Sequence, residues 1–251
     1  MIIFNTDLDN TLVFSNKHDI GDKKRCVEIY NGKEAGFITE YTDRLLEQVR
    51  KKVLIVPTTT RSVEQYHRID LKFIPEYALV CNGGILLKDG QEEERWYQES
   101  LQLLANCKEQ LSMAERILKV DSNVIFDIRN IRELFIVTKS VQPWLSVHKL
   151  KEQLDNSKVD IFHQNQKVYV IPKKLDKGTA VNRLRKRIGA NYVIAAGDSE
   201  IDVSMLQKAD LAFAPKKLKQ TVSLPKDTIL IEDNKVFSEI ILEYILNIKW
   251  K

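Results

Sequence analysis

Cysteine is scarce: Cys26, Cys81 and Cys107 are all that the 251 residues contain. The set is odd in number, widely spaced and without a Cys-x-x-Cys pair, so it builds neither a disulfide framework nor a zinc site. Free thiols in a reducing compartment are expected. Histidine is almost as rare, and His18, His67, His148 and His163 show no ligand-like spacing, which argues against a zinc enzyme. No apolar run approaches the roughly 18–20 residues of a membrane helix. The opening Met1-Ile2-Ile3-Phe4-Asn5-Thr6-Asp7 turns acidic too soon for a secretory leader. A cytoplasmic protein with no membrane partner is the expectation. Charge is not in large excess either. The formal value of +4 suits an anionic ligand but is too small and dispersed to argue for nucleic acid. Neither a Gly-x-x-x-x-Gly-Lys loop nor a Gly-x-Gly-x-x-Gly fingerprint occurs, so nucleotide hydrolysis and dinucleotide redox chemistry lack support.

What is present is an ordinary globular composition, 43% hydrophobic and 29% charged. Ile2–Thr6 reads as a buried strand running into Asp7-Leu8-Asp9. Residues 25–30 and 33–38 flank Asn31-Gly32, a hairpin signal that favours a type I′ turn. A helix N-capped by Thr39 and running to about Lys52 leads to a strand at Val53–Val56, which ends in Pro57-Thr58-Thr59-Thr60-Arg61. A further strand, Tyr77–Cys81, ends in Asn82-Gly83-Gly84. From about residue 85 to 172 the pattern changes. One helix over 99–119 precedes strands at 123–129 and 133–139; a second helix, 143–154, precedes strands at 159–163 and 167–171. Helix–strand–strand twice over reads as an inserted α+β domain, 85–172, inside an α/β core of 1–84 and 173–251. Afterwards a helix near Lys177, the strand Tyr192–Ala196 into Gly197-Asp198-Ser199, a helix at 202–208 and a strand at 211–214 resume the alternation. Phe237, Ile240, Ile241, Tyr244, Ile245 and Ile248 form the stripe of a closing core helix. Such alternation implies a doubly wound, Rossmann-like parallel sheet that binds ligands beyond the carboxyl ends of its strands.

The chemistry-bearing residues fall at those ends. Asp7 and Asp9, two apart after a strand, can point to one side, where their charges repel unless a cation or shared proton relieves them. Alone, the pair is equally a turn with two solvated aspartates. Asp198 and Asp202 also follow a buried strand, bringing a second acidic cluster to the same edge. Oxygen-only ligands suit Mg²⁺. The Thr58–Thr60 run offers hydroxyl and N–H donors for phosphate oxygens, and one of these threonines is expected to N-cap the following helix. Lys177 opens a helix, where the dipole does not favour a cation. It is either a solvated residue or a partner for the carboxylates.

Taken together, Asp7-Leu8-Asp9-Asn10-Thr11, Thr59-Thr60-Arg61, Lys177-Gly178 and Gly197-Asp198-Ser199-Glu200-Ile201-Asp202 resemble the four ordered motifs of the haloacid dehalogenase superfamily. The inserted unit resembles the type C2B cap of its sugar-phosphatase, Cof-like branch, and Asn82-Gly83-Gly84 resembles that branch's entry to the cap. The resemblance implies an aspartyl-phosphate mechanism on a small phosphorylated metabolite, with sugar phosphates as the default. Asp7 would be the nucleophile, Asp9 the acid–base, and Thr59 and Lys177 the holders of the phosphoryl group. Asp7, the backbone carbonyl of Asp9, Asp198 and Asp202 would hold Mg²⁺. Thr60, Arg61, Asn82 and Ser199 are expected at the substrate. Three departures from the family pattern are Asn10 and Thr60, where glycine is usual, and Ile201, where many relatives have asparagine. Lys17, His18, Lys23, Lys24 and Arg25 suggest a basic flap over an anionic substrate, or simply a solvated loop. A phosphomutase of the same superfamily and a non-catalytic phosphate-binding protein are the alternatives.

Overall fold

The computed structural model describes residues 1–249. In chain order the first segment holds β1 (Ile2–Thr6), β2 (Lys24–Tyr30), β3 (Lys33–Thr39), helix α1 (Glu40–Val49), β4 (Leu54–Pro57), the short helix α2 (Val63–Tyr66), β5 (Tyr77–Val80), β6 (Ile85–Lys88) and β7 (Gln91–Glu92). Then follow α3 (Glu94–Leu103), α4 (Lys108–Lys119), β8 (Arg129–Ile131), β9 (Phe135–Lys139), α5 (Pro143–Gln153), β10 (Val159–Gln164) and β11 (Lys167–Pro172). The last segment contributes α6 (Lys177–Ile188), β12 (Tyr192–Ala196), α7 (Val203–Leu206), β13 (Leu211–Pro215), β14 (Ile229–Ile231) and α8 (Phe237–Asn247). Two compact units result, Met1–Glu93 with Lys177–Lys251, and Glu94–Asp176. The boundaries read from sequence stood at 84 and 172.

The first unit is built on a parallel sheet of order β14-β13-β12-β1-β4. β1 lies between β12 and β4 and pairs in parallel with both, Thr6 standing opposite Ala196 and Pro57. Helices cover both faces of such a sheet, so its strands read as unbroken apolar runs rather than alternating ones. Ile3, Phe4, Val193 and Ile194 are accordingly inaccessible to solvent. β5 extends the order by one parallel bridge, Thr58 to Leu79, but its ladder partner is β6, in an antiparallel sheet with β7. The hairpin β2–β3 turns through Asn31 and Gly32 with φ of 51° and 71°, both in the left-handed region that a type I′ turn requires. Thr39 caps α1, its hydroxyl accepting from the Thr42 N–H.

Four local expectations change. The single helix over 99–119 is two, α3 and α4, broken by a 3₁₀ turn at Ala105–Cys107 that packs Leu104 and Cys107 inward. No proline or glycine marks that break, and tertiary packing overrides helix propensity there. The strand expected over 123–129 begins only at Arg129. The N-cap of α2 is Ser62, in a capping box with Gln65, and not one of the threonines. In α8 the buried face runs through Phe237, Ile241, Leu242 and Ile245, whereas Tyr244 is exposed.

The second unit is an antiparallel sheet, β10-β11-β9-β8, with a core formed by Leu111, Ala114, Leu118, Leu150, Ile136 and Val170. Its main buried charge is Asp121. The carboxylate accepts from Ser146 Oγ (2.6 Å), Lys149 Nζ (2.7 Å), and the backbone and side-chain amides of Asn123. Burial alone would raise its pKa, but these bonds win and hold it at about 2. A depressed folded-state value means stability that is present above the unfolded value of 3.8 and lost as pH falls through about 2. Asp121→Asn is therefore expected to cost about 2 kcal/mol at neutral pH. It should also flatten the acid limb of a melting-temperature profile. An unchanged acid limb would contradict the assignment.

Candidate active site

Asp7 is the first residue beyond β1, its N–H bonded to Ala196 O at 2.9 Å, which ties the strand end to β12. The chain then folds tightly, the N–H groups of Thr11, Leu12 and Val13 all converging on Leu8 O. Asn10 sits at φ 61°, a left-handed position that asparagine adopts more readily than most residues. That backbone requirement explains how asparagine can stand where the resemblance leads to an expected glycine. Thr60 is not among the described residues with positive φ, so nothing in its backbone calls for glycine.

Three carboxylates, from Asp7, Asp198 and Asp202, place one oxygen each within 4.8 Å of one another. Lys177, the first residue of α6, is 2% exposed and reaches 2.6 Å from Asp7 Oδ1 and 2.6 Å from Asp202 Oδ1. Both Asp202 oxygens are engaged, since Oδ2 accepts from Asp198 N, Ser199 N and Ser199 Oγ. Asp198 is more open and takes a long bond of 3.5 Å from Thr11 Oγ1. Burial, then the charge of Asp202, pushes Asp198 up to about 7. Asp7 is likewise raised, first by burial, and Asp202, Asp198 and Asp9 add to the shift against the pull of Lys177. The cluster is thus short of positive charge with one lysine among three acids.

Gly197 makes this packing possible. A Cβ built there would lie 2.3 Å from Asp202 Cβ and 2.5 Å from its Cγ. Gly197→Ala is expected to push Asp202 off Lys177 and to cost about 1–3 kcal/mol. Denaturant unfolding reads this directly, and wild-type stability would refute the tight fit.

Thr59 is fully buried, its N–H bonded to Leu79 O and its hydroxyl accepting from the Arg61 N–H. Cys81, Asn82 and Gly83 all have positive φ, and the N–H groups of Cys81 and Asn82 bond to Arg61 O and Thr59 O. Asn82 is 3% exposed, so this turn braces the threonine loop from behind. Ser199 spends its hydroxyl on Asp202. Asp9 is placed differently from the other three acids. Its carboxylate is half exposed and held by Arg61, Nε to Oδ2 at 2.9 Å and Nη2 to Oδ1 at 2.7 Å. The basic flap loses Arg25, which forms ion pairs with Asp43 and Asp70, and Lys24 lies over the Phe37 ring. Lys17 and Lys23 are exposed. Sequence reasoning missed Glu28, a buried carboxylate that also binds Arg61.

A doubly wound sheet, an inserted helix–strand–strand repeat, and three carboxylates with one buried lysine at the sheet's carboxyl edge agree with the resemblance of the motifs to haloacid dehalogenase-type hydrolases. The sequence profile of haloacid dehalogenase-like hydrolases matches residues 91–235, more than half the chain. The chain belongs to that family. The matched span contains Lys177, Asp198 and Asp202, whereas Asp7, Asp9 and Thr59 lie before it. A curated relative, the phosphoglycolate phosphatase of Sulfurisphaera tokodaii, is 22% identical over 224 residues, covering 86% of this chain and 88% of the relative. Among solved structures, the sucrose-phosphatase of Synechocystis with sucrose and phosphate superposes with a TM-score of 0.65 at 16% identity, covering 97% of this chain and 96% of that one. A trehalose-6-phosphate phosphatase of Aspergillus fumigatus gives 0.59 at 14% identity, with 98% and 92% covered. At these identities the structures share the fold. Among the described residues no helix is long and apolar enough to cross a membrane.

Proposed function

We propose that the chain is a magnesium-dependent phosphomonoesterase acting on a small phosphorylated metabolite, a sugar phosphate by preference, through a phosphoryl group carried on Asp7. The observation that carries this reading is the Lys177 ammonium bonded to Asp7 with Asp198 alongside. It supports a buried carboxylate as the nucleophile, with a cation beside it and a further carboxylate at the same strand edge. The phosphatase names of the relatives support the reaction, and two of them support a sugar phosphate.

The donor set fits Mg²⁺. It is all oxygen, and three carboxylates against one lysine leave room for a dication. Asp7 and Asp198 would hold the ion by side chain and Asp9 by its backbone carbonyl. Asp202, with both oxygens already accepting bonds, would hold Lys177 and the Asp198 loop in place. When bound, the ion supplies charge neutralisation for the phosphoryl oxygens.

In the first half-reaction an Asp7 oxygen attacks phosphorus and the bond from phosphorus to the ester oxygen breaks. The electron pair stays on that oxygen, which takes a proton from the Asp9 carboxyl. In the second, Asp9 removes a proton from water and the water oxygen attacks the same phosphorus. The Asp7–phosphorus bond breaks, inorganic phosphate leaves and Asp9 is protonated again. Thr59 and Lys177 would bind the phosphoryl oxygens in both steps. Both Asp9 oxygens accept from Arg61 in this structure, so one of these bonds gives way when Asp9 carries the proton. The test is phosphate release over a panel of phosphorylated metabolites with Mg²⁺, using Asp7→Asn as the blank. Release by the wild type alone supports the reading. Equal inactivity, or transfer of phosphate within the substrate without release, counts against it.

A further inference from the structure

The hairpin β2–β3 is joined to the catalytic loop more closely than a surface flap needs to be. Phe14 and Phe37 exchange both backbone bonds, N to O at 2.8 Å in each direction, so β3 is stitched to the end of the loop that begins at Asp7. Gly36 lies against the same loop, since a Cβ there would come within 2.8 Å of Val13 Cγ1 and 3.1 Å of Glu28 Cβ. Val13 itself bridges to Asp9.

Within this hairpin the β2–β3 register shifts on both sides of Glu28, between Cys26 and Glu28 and again between Glu28 and Ile29. Such irregularities bend a strand and re-aim a side chain. The other edge of β2 is pinned as well, by the Asp70 N–H to Val27 O and by the bridge from Glu28 to Ile69. Glu28 is consequently turned inward at 5% exposure. Its two oxygens accept from Arg61 Nη1 at 2.8 Å and Nη2 at 2.9 Å, and Oε1 also accepts from Arg68 Nε at 3.0 Å.

Arg61 therefore stands between two carboxylates. One edge of its planar fork, Nε with Nη2, holds Asp9, and the other, Nη1 with Nη2, holds Glu28. The Arg61 side chain is 13% exposed, and Nη1 also reaches Gln65 O. A planar donor fixed along one edge can present its other edge in only one direction. Glu28 thus decides where Arg61 points, and Arg61 decides where the Asp9 carboxylate sits. A surface ion pair would not need a re-aimed strand, a glycine opposite and a buried acid.

We propose that Glu28 is a positioning residue for the reaction, acting through Arg61 to fix the orientation of the Asp9 carboxyl toward the leaving oxygen. The inference rests on Asp9 being the acid–base group. Proton delivery matters when the leaving group is a poor one, such as the alkoxide of an alkyl phosphate, and matters little for nitrophenolate, which departs without help. Loss of orientation thus falls selectively on alkyl esters. A role confined to the fold or to phosphate binding would affect both esters alike.

The experiment compares kcat/KM for glycerol phosphate and for p-nitrophenyl phosphate in wild type, Asp9→Asn, Glu28→Gln, Glu28→Asp and Arg25→Gln. This constant reports steps only up to formation of the phosphorylated enzyme. Asp9→Asn should lower the alkyl ester by about 10²–10⁴-fold and the aryl ester far less. Glu28→Gln should show the same selectivity at about tenfold or more on the alkyl ester. Glu28→Asp keeps the charge but is one methylene too short to span the fork, and it carries the test if the glutamine variant does not fold. Arg25→Gln removes the side-chain ion pairs to Asp43 and Asp70 but neither the Asp70 N–H to Val27 O bond nor the Glu28–Ile69 bridge that aim Glu28, and should leave the ratio of the two esters unchanged. If Asp9→Asn is selective and neither Glu28 variant is, the role of Glu28 falls and that of Asp9 stands. If Asp9→Asn lowers both esters equally, the acid–base reading fails and this inference with it. A ratio shifted as much by Arg25→Gln as by the Glu28 variants would also overturn it.

Discussion

Replacing Lys177 by methionine is expected to lower the unfolding free energy by about 3–5 kcal/mol, the range for removing one partner of a buried ion pair. The lysine is almost fully buried and bonded to two carboxylates at 2.6 Å each. Burial works against its charge, but Asp202 and then Asp7 outweigh that cost and hold the ammonium above its ordinary range. A raised folded-state value means stability that is fully present below the unfolded value of 10.5 and lost only as pH rises beyond it. Without the ammonium, Asp7 and Asp202 lose the cation that bonds to both of them, and Asp198 adds to the repulsion. On the proposed reading Mg²⁺ would bind the folded site and not the unfolded chain, and a ligand at 100 times its dissociation constant stabilises by about 2.7 kcal/mol. Added Mg²⁺ should thus recover part of what Lys177→Met loses, as read by urea unfolding with and without the ion. A variant as stable as wild type would contradict the charge balance, and one indifferent to magnesium would contradict the metal assignment.

Asp7→Asn should behave in the opposite way. It removes the proposed nucleophile and is expected to lower phosphate release by about 10⁴-fold or more, as loss of a covalent catalyst does elsewhere. Its effect on the fold should be slight. The folded-state carboxyl titrates above its unfolded value, so its charge costs stability at neutral pH, and the amide oxygen can still accept from Lys177. Inactivity with an unchanged urea midpoint separates chemistry from folding. A partly active asparagine variant would indicate that another group attacks phosphorus.

The α/β class and the inserted helix–strand–strand repeat were legible because buried parallel strands and amphipathic helices leave different periodicities. The meeting of Asp7, Lys177, Asp198 and Asp202 was legible for a related reason. Each follows a strand or opens a helix of the sheet, and topology carries such positions to one edge. The bracing of Asp9 was not, because it depends on side chains from separated segments. Arg61 reaches it from the loop after β4, and Glu28 reaches Arg61 from a hairpin whose register slips at that residue. Read as strict alternation, residues 25–30 give no sign that Glu28 turns inward. The basic flap was legible only in part: Arg25 is claimed by Asp43 and Asp70, whereas Lys17 and Lys23 are exposed. Asp202 carried a hidden constraint too, since only the missing Cβ of Gly197 lets it pack where it does.

On the proposed mechanism, phosphorus passes through a covalent bond to Asp7. Acid quench of the enzyme during turnover of a ³²P-labelled ester, followed by borohydride reduction and peptide mapping, tests it most directly. Borohydride converts an aspartyl phosphate to homoserine, so protein-bound label is expected in the quenched enzyme, with homoserine at position 7. Normal release of phosphate with no bound label, or with the modification at any other residue, would contradict it.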